Sequence, residues 1–140
     1  MDIQLSPDRT AIQDAVASLC SQFDDVYWLE KDKAGGFPTE FFQALAQAGW
    51  LGICIPEAYG GAGLGITEAA IMMRTIAESG AGLSGASAVH MNIFGLSPVV
   101  VFGTDEQKRR MLPPVVAGQE RTCFAVTEPN TGLNTTHLRT

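Results

Sequence analysis

The residues of this chain best suited to chemistry lie near its C-terminal end, in Phe124-Ala-Val-Thr-Glu-Pro-Asn-Thr-Gly132. Phe124, Ala125, Val126 and Thr127 read as a short strand, because aromatic and β-branched side chains suit a pleated backbone. The following Glu128-Pro129-Asn130-Thr131-Gly132 reads as a turn. Pro129 removes a ladder donor and fixes φ, and Gly132 can take the positive φ that closes such loops. A strand that ends in a hydroxyl and opens into a glycine-containing loop presents Thr127 and several backbone N–H groups along one edge. That edge suits a flat, electron-rich, hydrogen-bonding ligand or an anion. By local pattern alone, strand plus turn is mostly ordinary structure.

Two other stretches could carry chemistry. Gly60, Gly61, Gly63 and Gly65 fall close together after Pro56, and backbone without a Cβ can approach a phosphate. Yet the lysine and the serine or threonine of a P-loop are missing, and the spacing fails G-x-G-x-x-G. Gly80-Ala-Gly-Leu-Ser-Gly85 does match that fingerprint, with Asp105 about the right distance onward. It is rejected, because the fingerprint must follow a strand and the residues before Gly80 carry a helical period. The second stretch is Ser84 to Phe94, where Ala86, Ser87, His90, Met91 and Phe94 share one face by three-and-four spacing. A lone histidine there is ordinarily a hydrogen-bonded core or surface residue.

The elements that must position these residues are helical. Ser6-Pro7 is a helix-start signal, and Ile12, Ala15, Val16, Leu19, Phe23, Val26 and Tyr27 predict one apolar stripe on a first helix of about five turns. Gly35-Gly36 closes that segment. Pro38 opens a second helix that buries Phe41, Phe42, Leu45 and Ala46 and ends at Gly49 or Gly52. A third runs from about Thr67 to about Ser79, with Ala69, Ala70, Met73, Ile76 and Ala77 on its apolar side and Gly80 as a left-handed cap. After the Ser84–Phe94 helix, Ser97-Pro98 marks a break or bend, and Val99 to Phe102 form a short buried helical segment. Thr104-Asp-Glu-Gln107 is a capping box. It opens a helix through Val116 that Pro113-Pro114 should end or bend early. After Gly118 the period becomes that of strands. The expected fold is all-α, an up-and-down domain of five to six helices over residues 1–118, with one or two residual β-strands in 119–140.

Composition narrows the class. A chain of 140 residues with 46% apolar content is long enough for one domain with a real core. The formal charge of −6 argues against a nucleic-acid partner. Lys108-Arg109-Arg110, the one basic cluster, reads as a solvated helix face. Cys20, Cys54 and Cys123 are widely spaced, form no C-x-x-C pair, and predict neither a disulfide framework nor a metal site. No apolar run reaches the length of a membrane span. Met1-Asp2-Ile3-Gln4 has no signal- or transit-peptide character, which predicts a cytoplasmic protein.

Two of these stretches carry a family likeness. Phe124-Ala-Val-Thr-Glu-Pro-x-x-Gly132 resembles the flavin-binding signature of the acyl-CoA dehydrogenases, whose usual form continues Gly-Ser-Asp. Here Leu133-Asn134 stand in place of the serine and aspartate, so backbone contacts survive where side-chain contacts do not. Gly52-Ile-Cys-Ile-Pro-Glu-Ala-Tyr-Gly-Gly-Ala-Gly63 is similar to the loop between early helices of the same family, and it lies about 65 residues upstream, in family order. The resemblance covers essentially the whole chain. It implies the N-terminal helical domain and the start of a middle β domain, in a protein that dehydrogenates an acyl-CoA thioester at its α,β carbons. It further implies FAD as cofactor, an electron-transfer flavoprotein as acceptor and a homo-oligomer.

On the same resemblance, Phe124, Val126 and Thr127 would lie along the flavin, with Thr127 bonding the isoalloxazine edge. Gly132 and the backbone of Leu133 would approach flavin or CoA phosphates. Ser87, His90 and Phe94 would line the acyl tail, together with Leu133. The family's base is a glutamate from a later domain, so no catalytic residue is expected here. An acyl-CoA oxidase or a monooxygenase of the same fold shares these features. A non-catalytic helical interaction module would instead show an exposed apolar face and no response to flavin.

Overall fold

Why the chain breaks where it does is clearest at its first turn of direction. A computed structural model describes residues 4–140; Met1 to Ile3, read above as part of a start without a targeting signal, lie outside them. The first apolar stripe is carried by two helices, α1 (Pro7–Cys20) and α2 (Asp25–Ala34). Ser21 ends α1, and the Asp24 carboxylate accepts the Tyr27 N–H to start α2. The break turns Val26 outward, 59% exposed. Phe23, Tyr27 and Trp28 instead turn edge-to-face onto one another and onto Phe41.

α3 (Thr39–Gln47) buries Phe41, Phe42, Leu45 and Ala46, as its spacing predicts, and Gly49 ends it at φ 81°. α4 (Ile66–Ile76) is rotated from the predicted face: Met72 and Thr75 are buried and Ala70 is exposed. Thr75 tolerates this because its hydroxyl donates to the Ile71 carbonyl, 2.8 Å away. A wide turn over Ala77–Ala81 follows, with Gly80 at φ 95°. It leads into α5 (Gly82–Phe94), then α6 (Ser97–Phe102) and α7 (Asp105–Val116). α1 and α4 make the most extensive helix contact. The main core is built from Val16, Leu19, Phe41, Leu45, Met72, Ile76 and Val89. A smaller cluster seats Leu112 and Val115 of α7 on Ile55.

Four further expectations change. The run Ile66–Phe102 is long and apolar enough, by length and composition alone, to cross a membrane, but it is divided at Gly80 and Gly82, both at positive φ. The pieces on either side, 11 residues in α4 and 13 in α5, each fall well short of the roughly 20 residues a span needs. The α6 segment is less buried than predicted, with Val101 61% and Phe102 85% exposed. α7 passes through Pro113 and Pro114 to Val116. The carbonyls those prolines leave without a donor belong to Arg109 and Arg110, both exposed, where water can satisfy them. Lastly, no sheet forms among the described residues: Cys123 to Thr127 have no ladder partner, and only an isolated bridge joins Glu128 to Thr131. The capping box of α7 is present, with Thr104 and Gln107 each bonding the other's backbone N–H.

Candidate functional site

The glycine-rich loop is used up by its own fold. The N–H groups of Gly60, Gly61, Ala62, Gly63 and Leu64 donate to the carbonyls of Glu57, Pro56, Gly52, Ile55 and Ile53, and that of Gly65 donates to the Glu68 carboxylate. A Cβ on Gly61 would lie 2.0 Å from the Ile55 oxygen. The glycines are there for close backbone packing, and the loop has no row of N–H groups left for a phosphate.

The C-terminal stretch is the opposite case. Past Gly118 (φ 68°) the chain leaves α7 and is tied to α5 by one buried side chain. Asn92, 2% exposed, donates from Nδ2 to the Glu120 carbonyl at 3.4 Å and accepts the Thr122 N–H on Oδ1 at 3.3 Å. The Thr122 hydroxyl donates to the Met91 carbonyl, lying so close to Gly95 that a Cβ there would be 2.4 Å from the Thr122 oxygen. Sequence reasoning missed Asn92, Thr122 and Gly95. Asn92 is an amide three residues before a glycine at a helix end, and no local pattern shows what it binds 30 residues on.

Beyond that tie, no N–H from Cys123 to Thr127 finds an acceptor among the described residues. Phe124 is 59% exposed and its ring meets Phe94 edge-on at 5.7 Å. Phe94 in turn stacks obliquely on His90 at 4.6 Å. Phe94, Pro98, Val101, Phe102 and Phe124 line an apolar groove of about 360 Å³. Ser87 and His90 lie exposed on the outer face of α5, while Ala86, assigned above to that face, is buried on the core side with Val89. Two groups of residues far apart in sequence are thus brought together at Phe94 and Phe124.

The rest of the stretch lies further round. Val126 is half-buried, and Thr127 is exposed. Glu128 and Thr131 exchange both backbone bonds across Pro129-Asn130, so the turn closes there, and Gly132 does not use a positive φ. The Glu128 carboxylate accepts from the Thr140 hydroxyl and from the N–H groups of Arg139 and Thr140. These bonds, the Thr140 hydroxyl foremost, hold its pKa below the usual carboxylate range. The Thr131 hydroxyl donates to the His137 carbonyl. Leu133 stands fully in solvent. Among the described residues there is no cluster of metal-ligating side chains.

This arrangement offers a row of free N–H donors beside an aromatic ring and an apolar groove, which suits a flat polar ring on one side and an aliphatic tail on the other. Residues 6–119 match the family model for the acyl-CoA dehydrogenase N-terminal domain, and the chain belongs to that family. It is 35% identical over 135 residues to the acyl-CoA dehydrogenase FadE12 of Mycobacterium tuberculosis, covering 96% of this chain and 34% of that protein. It is 32% identical over 144 residues to an acryloyl-CoA reductase (NADH) of Anaerotignum propionicum, covering all of this chain and 35% of the relative. The butyryl-CoA dehydrogenase structure from Megasphaera elsdenii superposes with a TM-score of 0.81 at 25% identity, over 100% of this chain and 37% of the other. The chain therefore spans about a third of the length of the relatives it matches.

Proposed function

We propose that this chain forms the helical side of the substrate and flavin site in an FAD-dependent acyl-CoA dehydrogenase. The observation that carries the proposal is the contact between Phe94 and Phe124. It sets the α5 face assigned to the acyl tail against the segment assigned to the flavin. FAD, when bound, supplies the two-electron acceptor for a β-hydrogen leaving as hydride. The chain's own part is to bind and orient. The free N–H groups of Cys123 to Thr127 and the Thr127 hydroxyl fit one polar edge of the ring system, and Phe124 covers its apolar side. Phe94 and His90 flank the acyl tail, and the exposed apolar wall of α6 borders it. Holding the thioester's α and β carbons at fixed distances from base and acceptor is an entropic contribution to the rate. The base comes from outside this chain. By the same reading an electron-transfer flavoprotein takes the electrons onward.

The test uses a protein that carries this chain with the further domains of its relatives, loaded with FAD and kept anaerobic. Adding saturated acyl-CoA thioesters of graded length should bleach the flavin and yield the 2-enoyl-CoA. Bleaching only by NADH, with reduction of an enoyl-CoA, would reverse the direction of the proposed reaction. Rapid oxygen consumption with acyl-CoA would make the protein an oxidase. Binding of neither flavin nor thioester would leave an interaction module.

A further inference from the structure

We infer that Asn92 is a positioning residue: through Thr122 it sets the width of the groove between Phe94 and Phe124, and so the acyl chains the site accepts. The acyl part of this inference rests on the function proposed above; the geometric part does not.

Asn92 is the one buried side-chain amide in the described structure, and both of its ends are committed to a single neighbouring segment. Nδ2 donates to the Glu120 carbonyl and Oδ1 accepts the Thr122 N–H, which registers residues 120–122 along α5 as a strand partner would. The Thr122 hydroxyl adds a third bond, to the Met91 carbonyl. Gly95 lets the segment come this close, since any Cβ there would collide with Thr122. Phe124 is two residues beyond Thr122 and Phe94 two residues beyond Asn92, so the registration is passed directly to the two rings. Apart from its ring contact with Phe94, Phe124 has little holding it among the described residues. It is mostly exposed, its N–H is free, and no ladder supports its strand. A buried amide committed to one partner segment is costly unless both ends are satisfied, and here both are. Asn92 does not line the groove, so its effect on specificity is exerted through position alone.

The experiment has two arms, so that failure of the clamp and failure of the proposed function read differently. In the 140-residue chain, NMR follows the Thr122 amide and the cross-peaks between the Phe94 and Phe124 rings. Thr122→Val keeps the shape and removes the hydroxyl bond, Thr122→Ser restores that bond, and Asn92→Ala removes the other two. The expected result is loss of the Phe94–Phe124 cross-peaks in Thr122→Val and Asn92→Ala and their recovery in Thr122→Ser, with cross-peaks of the Val16–Met72 core unchanged. Wild-type ring cross-peaks in Asn92→Ala would overturn the inference, and Asn92→Leu, which keeps the shape and removes both amide bonds, decides if Asn92→Ala does not fold. In the flavin-loaded protein with its further domains, the same variants should change the ratio of kcat/KM between short and long acyl-CoA by about tenfold or more, because small misplacements are amplified in the transition state. An equal fall for every chain length would overturn the specificity role while leaving the clamp and the proposed function standing.

Discussion

Phe94 and Gly61 show how differently two residues singled out by the sequence answer to substitution. Phe94 is a half-buried ring whose contacts, His90 at 4.6 Å and Phe124 at 5.7 Å, are made on the outer side of α5. Phe94→Ala opens the groove without opening the core. In the flavin-loaded protein its preference should move toward longer or bulkier acyl groups by about tenfold or more, the scale of a single methylene in an apolar pocket. An unchanged chain-length profile would return Phe94 to a packing role. Gly61 touches no ligand, yet it has no room at all: Gly61→Ala forces a methyl against the Ile55 carbonyl 2.0 Å away, with Gly52 close behind. The loop must shift, which costs about 1–3 kcal/mol or more. Chemical denaturation should show a lowered midpoint with the slope unchanged. A midpoint equal to wild type would mean that the loop rearranges freely.

At the scale of elements, what the sequence showed was what depends on near neighbours. The Phe41, Phe42, Leu45, Ala46 face, the Thr104–Gln107 capping box and the left-handed Gly80 are all decided within a few residues. What it hid depends on distant ones. The first helix is two because Asp24 caps a new start, and the stripe Ile12 to Tyr27 is blind to a change of direction. Phe124 to Thr127 have strand composition but no partner to make a ladder. Asn92 acts on a segment about 30 residues away. The Arg9–Glu68 pair is another such contact: it links α1 to α4 at 2.9 Å, while the other Glu68 oxygen accepts the Gly65 N–H and caps α4. The Arg9 guanidinium, first among its partners, holds the Glu68 carboxyl below the usual range. A lowered folded-state pKa adds stability above the unfolded value, and that stability is lost as pH falls through the folded one. Glu68→Gln should therefore melt below wild type at neutral pH, and the two curves should converge on acidification below about pH 4. A gap that stays constant with pH would assign the effect to shape and not to charge. The pair is exposed on the Arg9 side, 42%, so the gap will be small.

For the whole molecule, the helices form a closed core while the segment assigned to the flavin is open on one side. A dinucleotide cofactor needs contacts along its ring, ribityl chain, pyrophosphate and adenine, and this chain offers one edge. The isolated chain should therefore be colourless after purification and leave the absorption and fluorescence of added FAD as those of free cofactor. Stoichiometric flavin carried through gel filtration would show that the helical domain contributes far more than an edge. The same openness sorts the three thiols by depth. Cys20 is sealed in the core and Cys54 is half-covered, burial raising the pKa of both, whereas Cys123 is exposed one residue before Phe124. A maleimide dye at neutral pH should take one equivalent quickly, at Cys123, a second slowly, and the third only when the chain unfolds. Equal rates at all three would mean that the core breathes on the reagent's timescale. That selectivity gives the chain a built-in attachment point beside the groove, where a reporter would register an acyl tail or a flavin arriving without any residue having been replaced.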